Sequence, residues 1–241
     1  MSLYSNIHKP QAEAQGFLRA TPLFSTLGEA DLTRLADRVK RRTFASGATL
    51  FHQDMPGMVL YIIETGSVRI FSIGRTGQEL TFDIFGAGEI FGELSLLDDK
   101  HHSASAITLS ETTVWLLPKS DLDELLEKNL LFTRALIRIL VNRIRIRAVH
   151  AEVMTFQNVQ GRLAYILLYL AERHGRTTAN GVEVNIPLTQ VELAALVGAT
   201  RESVYKSLAT LRSQKMVTVE GLFLTITNPA GLQRLIQDRG R

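Results

Sequence analysis

The chain has 241 residues, 45% of them hydrophobic and 21% charged, an ordinary globular composition long enough for two modest domains. It contains no cysteine, which excludes disulfides, thiolate nucleophiles, cysteine-ligated zinc and iron–sulfur clusters. The net charge of +3 is unevenly spread: residues 1–129 carry 12 basic and 17 acidic groups, residues 130–157 carry 5 and 1, and residues 158–241 carry 10 and 6. An acidic front and a basic back point to a polyanionic partner for the back half. The first residues lack the apolar core of a signal peptide, and the densest apolar stretch, residues 163–171, is too short to span a bilayer. The expected location is therefore cytoplasmic, with no membrane partner.

In chain order, residues 22–42 read as a helical lead-in, because Leu32, Leu35, Ala36 and Val39 recur at helical spacing. From Thr43 to Leu117 the pattern becomes short alternating or apolar runs, among them MVLYIIE, SVRIFSI and ELTFDIF. Glycines and the Pro56-Gly57 turn punctuate them, as expected of an all-β barrel or double-sheet roll. Pro118 opens a short helix at its favoured first-turn position. Asn129 is placed to cap a long helix, along which Ile137, Leu140, Ile144, Ala148 and Ala151 step by three or four, the seam of a coiled coil. Arg138, Arg143, Arg145 and Arg147 lie on its other faces. So long a helix with one apolar stripe calls for a second copy as well as its own roll.

Asn158 caps a helix over about residues 159–174 that Gly175 ends, and a polar stretch, RTTANG, follows. Thr189 and Glu192 have the spacing of a capping box. The helix they start is short, ends at Gly198, and is followed at once by a second helix with Thr200 as its cap. Two short helices across a tight glycine turn form a helix-turn-helix. MVTVE-GLFLTIT then reads as a hairpin about Glu220-Gly221, and Asn228-Pro229 starts a final helix, so the whole back segment reads as a winged helix-turn-helix. With Val204 facing inward at about 100° per residue, Glu202 and Lys206 point outward, and Arg201 projects from the first turn. Arg and Lys can donate to guanine edges and Glu can accept from cytosine. Thr189, Gln190, Thr200 and Ser203, near the helix starts, can hold phosphates.

LTQVELAALVGATRESVYKSLATL resembles the DNA-binding motif of the CRP/FNR family of bacterial transcription regulators. FGELSLLDDKHHSASA, residues 91–106, independently resembles that family's phosphate-binding cassette, and the likeness covers roughly residues 22–227. The resemblance implies an α+β fold: a cyclic-nucleotide-binding-like β-roll over residues 1–128, a dimerisation helix and hinge over 129–157, and a winged helix-turn-helix over 158–241. It implies a homodimer on a palindromic double-stranded DNA operator with TGTGA-like half-sites, read by Arg201, Glu202 and Lys206. RNA polymerase is an expected further partner. By the same resemblance, Gly92, Glu93, Leu94, His102 and Ser103 line an effector pocket, with Arg143 and Arg147 from the long helix.

The chain departs from the cyclic-AMP-binding pattern at both ends of that pocket. His102 stands where those members have an arginine, so a permanent charge and a bidentate fork are missing. Arg147-Ala148 replace the Thr-Ser pair that touches adenine. Cyclic AMP is therefore not the expected effector. Arg143 and Arg147 could bind a small carboxylate or pair with Asp98 and Asp99. Haem would need an axial histidine from His52, His101, His102 or His150, and it too is not the expected ligand. Asp98 to His102 read as a turn rather than a metal site. No nucleophile–base pair or phosphate-transfer loop indicates an enzyme. The competing reading is a ligand-binding or protein-interaction module without sequence-specific DNA binding.

Overall fold

The computed structural model describes residues 11–237; the outer ends of the expected first and last domains, residues 1–10 and 238–241, lie outside them. The chain forms two compact units. One contains the residues up to Ser72 together with Ile84–Arg143. The other contains Ile73–Asp83 and the residues from Ile144 onward.

The first unit begins with α1 (Gln11–Ala20) and α2 (Glu29–Arg38). Acidic Glu29 and Asp31 occupy the first turn of α2, where they favour the helix dipole, and Leu32, Leu35 and Ala36 are buried. The lead-in expected as helix to residue 42 ends at Arg38, because β1 (Lys40–Phe44) pairs antiparallel with β8 (Thr112–Pro118). The strands between them in the chain are β2 (Thr49–Phe51), β3 (Val59–Thr65), β4 (Val68–Ile73), β5 (Glu79–Phe85, of which the residues up to Asp83 belong to the second unit), β6 (Ile90–Phe91) and β7 (Ser105–Thr108), with a one-turn α3 (Leu94–Leu97) after β6. They form two four-stranded sheets, ordered β1-β8-β3-β6 and β2-β7-β4-β5. This is the double-sheet roll expected from the alternating runs. Ile63, Val68, Phe85, Phe91, Ala106 and Val114 fill one core cluster. A second cluster, centred on Trp115, packs α1 and α2 onto the roll, with the Phe17 ring stacked on the indole at 5.7 Å.

Pro118 immediately precedes α4 (Lys119–Lys128), and the Asn129 side chain caps α5 (Leu130–Phe156) by accepting from the Phe132 N–H at 3.0 Å. Phe132 and Leu136 of α5 are buried in the Trp115 cluster, and Leu140 packs against it. The exposed stripe therefore runs through Ile137, Val141 and Ile144, not through Leu140 as the spacing alone suggested. Its steps of four and three residues continue to the exposed Ala148 and Ala151.

In the second unit, α6 (Val159–His174) is capped by Asn158, whose side chain accepts from the Gly161 N–H at 2.9 Å. The polar stretch after it is a hairpin, β9 (Gly175–Thr178) and β10 (Gly181–Val184). A side chain at Gly175 would strike the Ala171 carbonyl at 2.1 Å, so helix gives way to strand at a residue without one. Next come α7 (Gln190–Val197), α8 (Arg201–Ser213), β11 (Val217–Glu220), β12 (Phe223–Ile226) and α9 (Pro229–Gln237). The sheet order β11-β12-β10-β9 makes the expected wing half of a four-stranded sheet. No helix of the described residues is long and apolar enough to cross a membrane.

Candidate nucleic-acid interface and roll site

Local sequence fixes the two short helices. The Thr189 hydroxyl accepts from the Glu192 N–H at 3.2 Å, and the Glu192 carboxylate accepts from the Thr189 N–H at 2.6 Å. This reciprocal box satisfies two donors that a helix start leaves open. Gly198 ends α7 at φ 64°, in the left-handed region that suits glycine. Two residues later the Thr200 hydroxyl accepts from the Ser203 N–H at 3.2 Å and starts α8. Ala194 and Ala195 are buried beneath the turn, while Val204, Leu208 and Leu211 bury the inner face of α8.

The outer face carries the predicted readers. Arg201, Glu202 and Lys206 are all exposed. Glu202 and Lys206 pair across one turn at 2.6 Å, a solvent-exposed contact that costs little to exchange for another partner. The Arg201 side chain has no hydrogen bond or ion pair among the described residues. Gln190 is exposed at the start of α7, next to the exposed Thr189. Helix starts, a free guanidinium and an exposed Glu–Lys pair thus lie on two successive helices. That arrangement can donate to phosphates and present a mixed donor–acceptor edge to bases.

The roll site is differently arranged. Glu93 is buried, and its carboxylate accepts from Arg143 Nη1 at 2.7 Å. Arg143 Nη2 donates to the Ile90 carbonyl at 2.5 Å, and the guanidinium lies over the Phe85 ring. His102 is buried, stacked on Phe51 with centroids 3.7 Å apart, and its Nδ1 lies 3.1 Å from the Ser95 hydroxyl. Burial lowers its pKa, so the ring is neutral at pH 7. Gly92 takes φ 81° beside Tyr61, whereas Leu94 and Ser103 are exposed. The structure therefore brings Glu93 and Arg143 together. It commits His102 to Ser95 and Phe51.

Residues 41–129 match the cyclic nucleotide-binding domain, and residues 161–235 match the Crp-like helix-turn-helix domain. The chain is 32% identical over 200 residues to the cyclic AMP receptor protein of Thermus thermophilus, covering 83% of this chain and 89% of that one. The chain belongs to the CRP/FNR family of transcription regulators. A CRP-like cAMP-activated global transcriptional regulator of Mycobacterium tuberculosis is 32% identical over 212 residues, covering 88% and 95% of the two chains. Among solved structures, FixK2 from Bradyrhizobium japonicum shares the fold at a TM-score of 0.74 and 21% identity, covering 82% of this chain and 96% of that one. As a CRP/FNR protein with a Crp-like helix-turn-helix, the chain is a DNA-binding transcription regulator, and the reading without DNA binding is set aside.

One constellation in this CRP/FNR chain escaped the sequence reading. In the second unit Asp83, only 4% exposed at its side chain, accepts from Arg147 Nη2 at 2.6 Å, Arg173 Nη1 at 2.5 Å and the Tyr169 hydroxyl at 3.0 Å. Arg147 also donates to the Phe82 carbonyl. Burial first, and the Asp83 charge second, push the Tyr169 hydroxyl pKa well up. Arg147 thus binds Asp83, and Arg143 binds Glu93, in place of the Asp98 and Asp99 partners considered from sequence. Asp98 instead caps its own turn, accepting from the Lys100 N–H at 3.2 Å. The signal for the cluster was present: Thr81, Asp83 and Phe85 alternate onto the buried face of β5, and a carboxylate there calls for cations.

Proposed function

We propose that the protein acts as a homodimer on a two-fold-symmetric operator with TGTGA-like half-sites, with α8 of each copy in the major groove. Arg201, Glu202 and Lys206 contact base edges, while Thr189, Gln190, Thr200 and Ser203 hold phosphates. The observation that carries this reading is the capped pair α7 and α8, which buries Val204, Leu208 and Leu211 and leaves these three long side chains outward. The exposed apolar stripe of α5, with Ile144 68% exposed, supports residues 129–157 as the dimer seam. RNA polymerase is the further partner, the setting is the cytoplasm, and no reaction is catalysed.

Residues 1–128 form the sensing domain in this proposal, but not for cyclic AMP. A neutral His102 stacked on Phe51 offers no charge to a cyclic phosphate, and Glu93 is already paired with Arg143. Any effector that acts here must compete with that internal ion pair.

The test is fluorescence anisotropy with no added ligand, on a duplex carrying inverted TGTGA half-sites and on a scrambled duplex, at two salt concentrations. Selective binding that weakens with salt is expected. Equal binding to both duplexes would reject the assigned half-site.

A further inference from the structure

Tyr205 shares the outer side of α8 with the residues assigned to base reading, yet it has no role so far. It is 56% exposed. With Val204 inward and about 100° per residue, its side chain leaves the helix between the buried row and Glu202. Residues four apart form a row along a helix surface, which places Arg201 one turn before Tyr205 and Ala209 one turn after. The Tyr205 side chain makes no hydrogen bond, ion pair or ring contact among the described residues. The buried face of α8 is complete without it, in Val204, Leu208 and Leu211. The rest of the exposed face is charged, hydroxylic, or as small as Ala209, so the phenol ring is its largest apolar surface.

The major groove has an apolar group to match. Base edges there present hydrogen-bond donors and acceptors, and in addition the C5-methyl group of thymine. We propose that Tyr205 determines sequence preference by laying its ring against a thymine methyl group. This rests on the reading of α8 as the helix that enters the groove. Ala209, one turn on and too short to hold the ring away from the bases, leaves it room to lie along the groove floor. Arg201 and Lys206 supply the hydrogen bonds on either side. The ring contributes what they cannot, discrimination of thymine from cytosine through a contact that needs no hydrogen bond.

The test begins with the operator that the full-length wild-type protein enriches from a randomised duplex pool. Each thymine of the enriched half-site is then replaced in turn by deoxyuridine, which removes the methyl group alone. Affinities are measured by fluorescence anisotropy for the wild type, Tyr205→Ala and Tyr205→Phe, each shown by circular dichroism to be folded. At one thymine, deoxyuridine should weaken the wild type by about fourfold, the value of one buried methyl group. The same replacement should leave Tyr205→Ala unchanged, and Tyr205→Phe should behave as the wild type. The proposal is overturned if no thymine shows the effect or if the effect survives in Tyr205→Ala. It is equally overturned if Tyr205→Phe matches Tyr205→Ala, which would assign the hydroxyl, and hence a phosphate contact. A pool with no enriched sequence would reject the underlying DNA reading; an enriched operator indifferent to deoxyuridine would reject only the role of Tyr205.

Discussion

Replacing Asp83 with alanine removes the anion on which Arg147, Arg173 and Tyr169 converge. The carboxylate is almost wholly buried, and the Arg173 side chain is only 18% exposed, so its charge loses this partner where water reaches poorly. Arg147, at 35%, keeps more solvent and contributes less. Breaking a buried pair from one side costs about 3–5 kcal/mol, and the partial exposure of Arg147 places the expectation near the bottom, at about 3 kcal/mol. Urea unfolding followed by far-UV circular dichroism measures it, since the loss falls in the helical second unit. Asp83→Asn keeps the shape and an acceptor for Tyr169 but not the charge, and should fall between alanine and wild type. Tyr169→Phe should cost about 1 kcal/mol, the value of one hydrogen bond. An Asp83→Ala protein within about 0.5 kcal/mol of wild type, the range of ordinary surface substitutions, would refute the reasoning.

Arg201→Ala should weaken operator binding by about 1–3 kcal/mol and relax preference at one base pair, measured by anisotropy against single-base operator variants. Ile144→Glu, which places a charge in the exposed stripe of α5, should shift the protein from dimer to monomer in sedimentation velocity. The His102 pKa is lowered by burial, so its contribution to stability is present above the ordinary histidine value of about 6.5 and is lost as pH falls below it. His102→Asn should therefore flatten part of the stability loss between about pH 7 and pH 5, read from urea midpoints. Cyclic AMP, titrated calorimetrically into the wild type, should give no binding heat, because neither His102 nor the paired Glu93 is available to it.

Much of the DNA-binding half was legible because its signals are local. A capping box, an αL glycine, a second threonine cap and a glycine hairpin each act within a few residues, and all four occur where the spacing placed them. Features set by distant partners were not legible. Lys40, Arg41 and Arg42 continue a helical pattern, yet become part of a strand because β8 pairs with them from more than seventy residues away. RTTANG looks like a loop, yet it supplies most of the β9–β10 hairpin, held at the edge of the sheet by the pairing of β10 with β12. Leu140 and Val141 are adjacent and both apolar, and periodicity cannot decide between them. Packing does so, by drawing Leu140 to the Trp115 cluster. In the roll, the family resemblance set His102 at the place where cyclic-AMP-binding members have an arginine, but its ring stacking and the Glu93–Arg143 pair are tertiary facts. The Asp83 cluster joins side chains separated by up to 90 residues, and only the inward phase of β5 hinted at it.

The central claim is that two copies place two α8 helices in successive major grooves of one duplex face. Two-fold-related recognition helices lie about 34 Å apart, one turn of B-DNA. Inserting about half a helical turn, roughly 5 base pairs, between the half-sites rotates one of them to the opposite face, while a full-turn insertion restores the face. The most direct measurement is the affinity of the ligand-free protein for the three spacings by anisotropy. The account predicts that the half-turn insertion costs more affinity than the full-turn insertion. Affinity that is indifferent to spacing would contradict it.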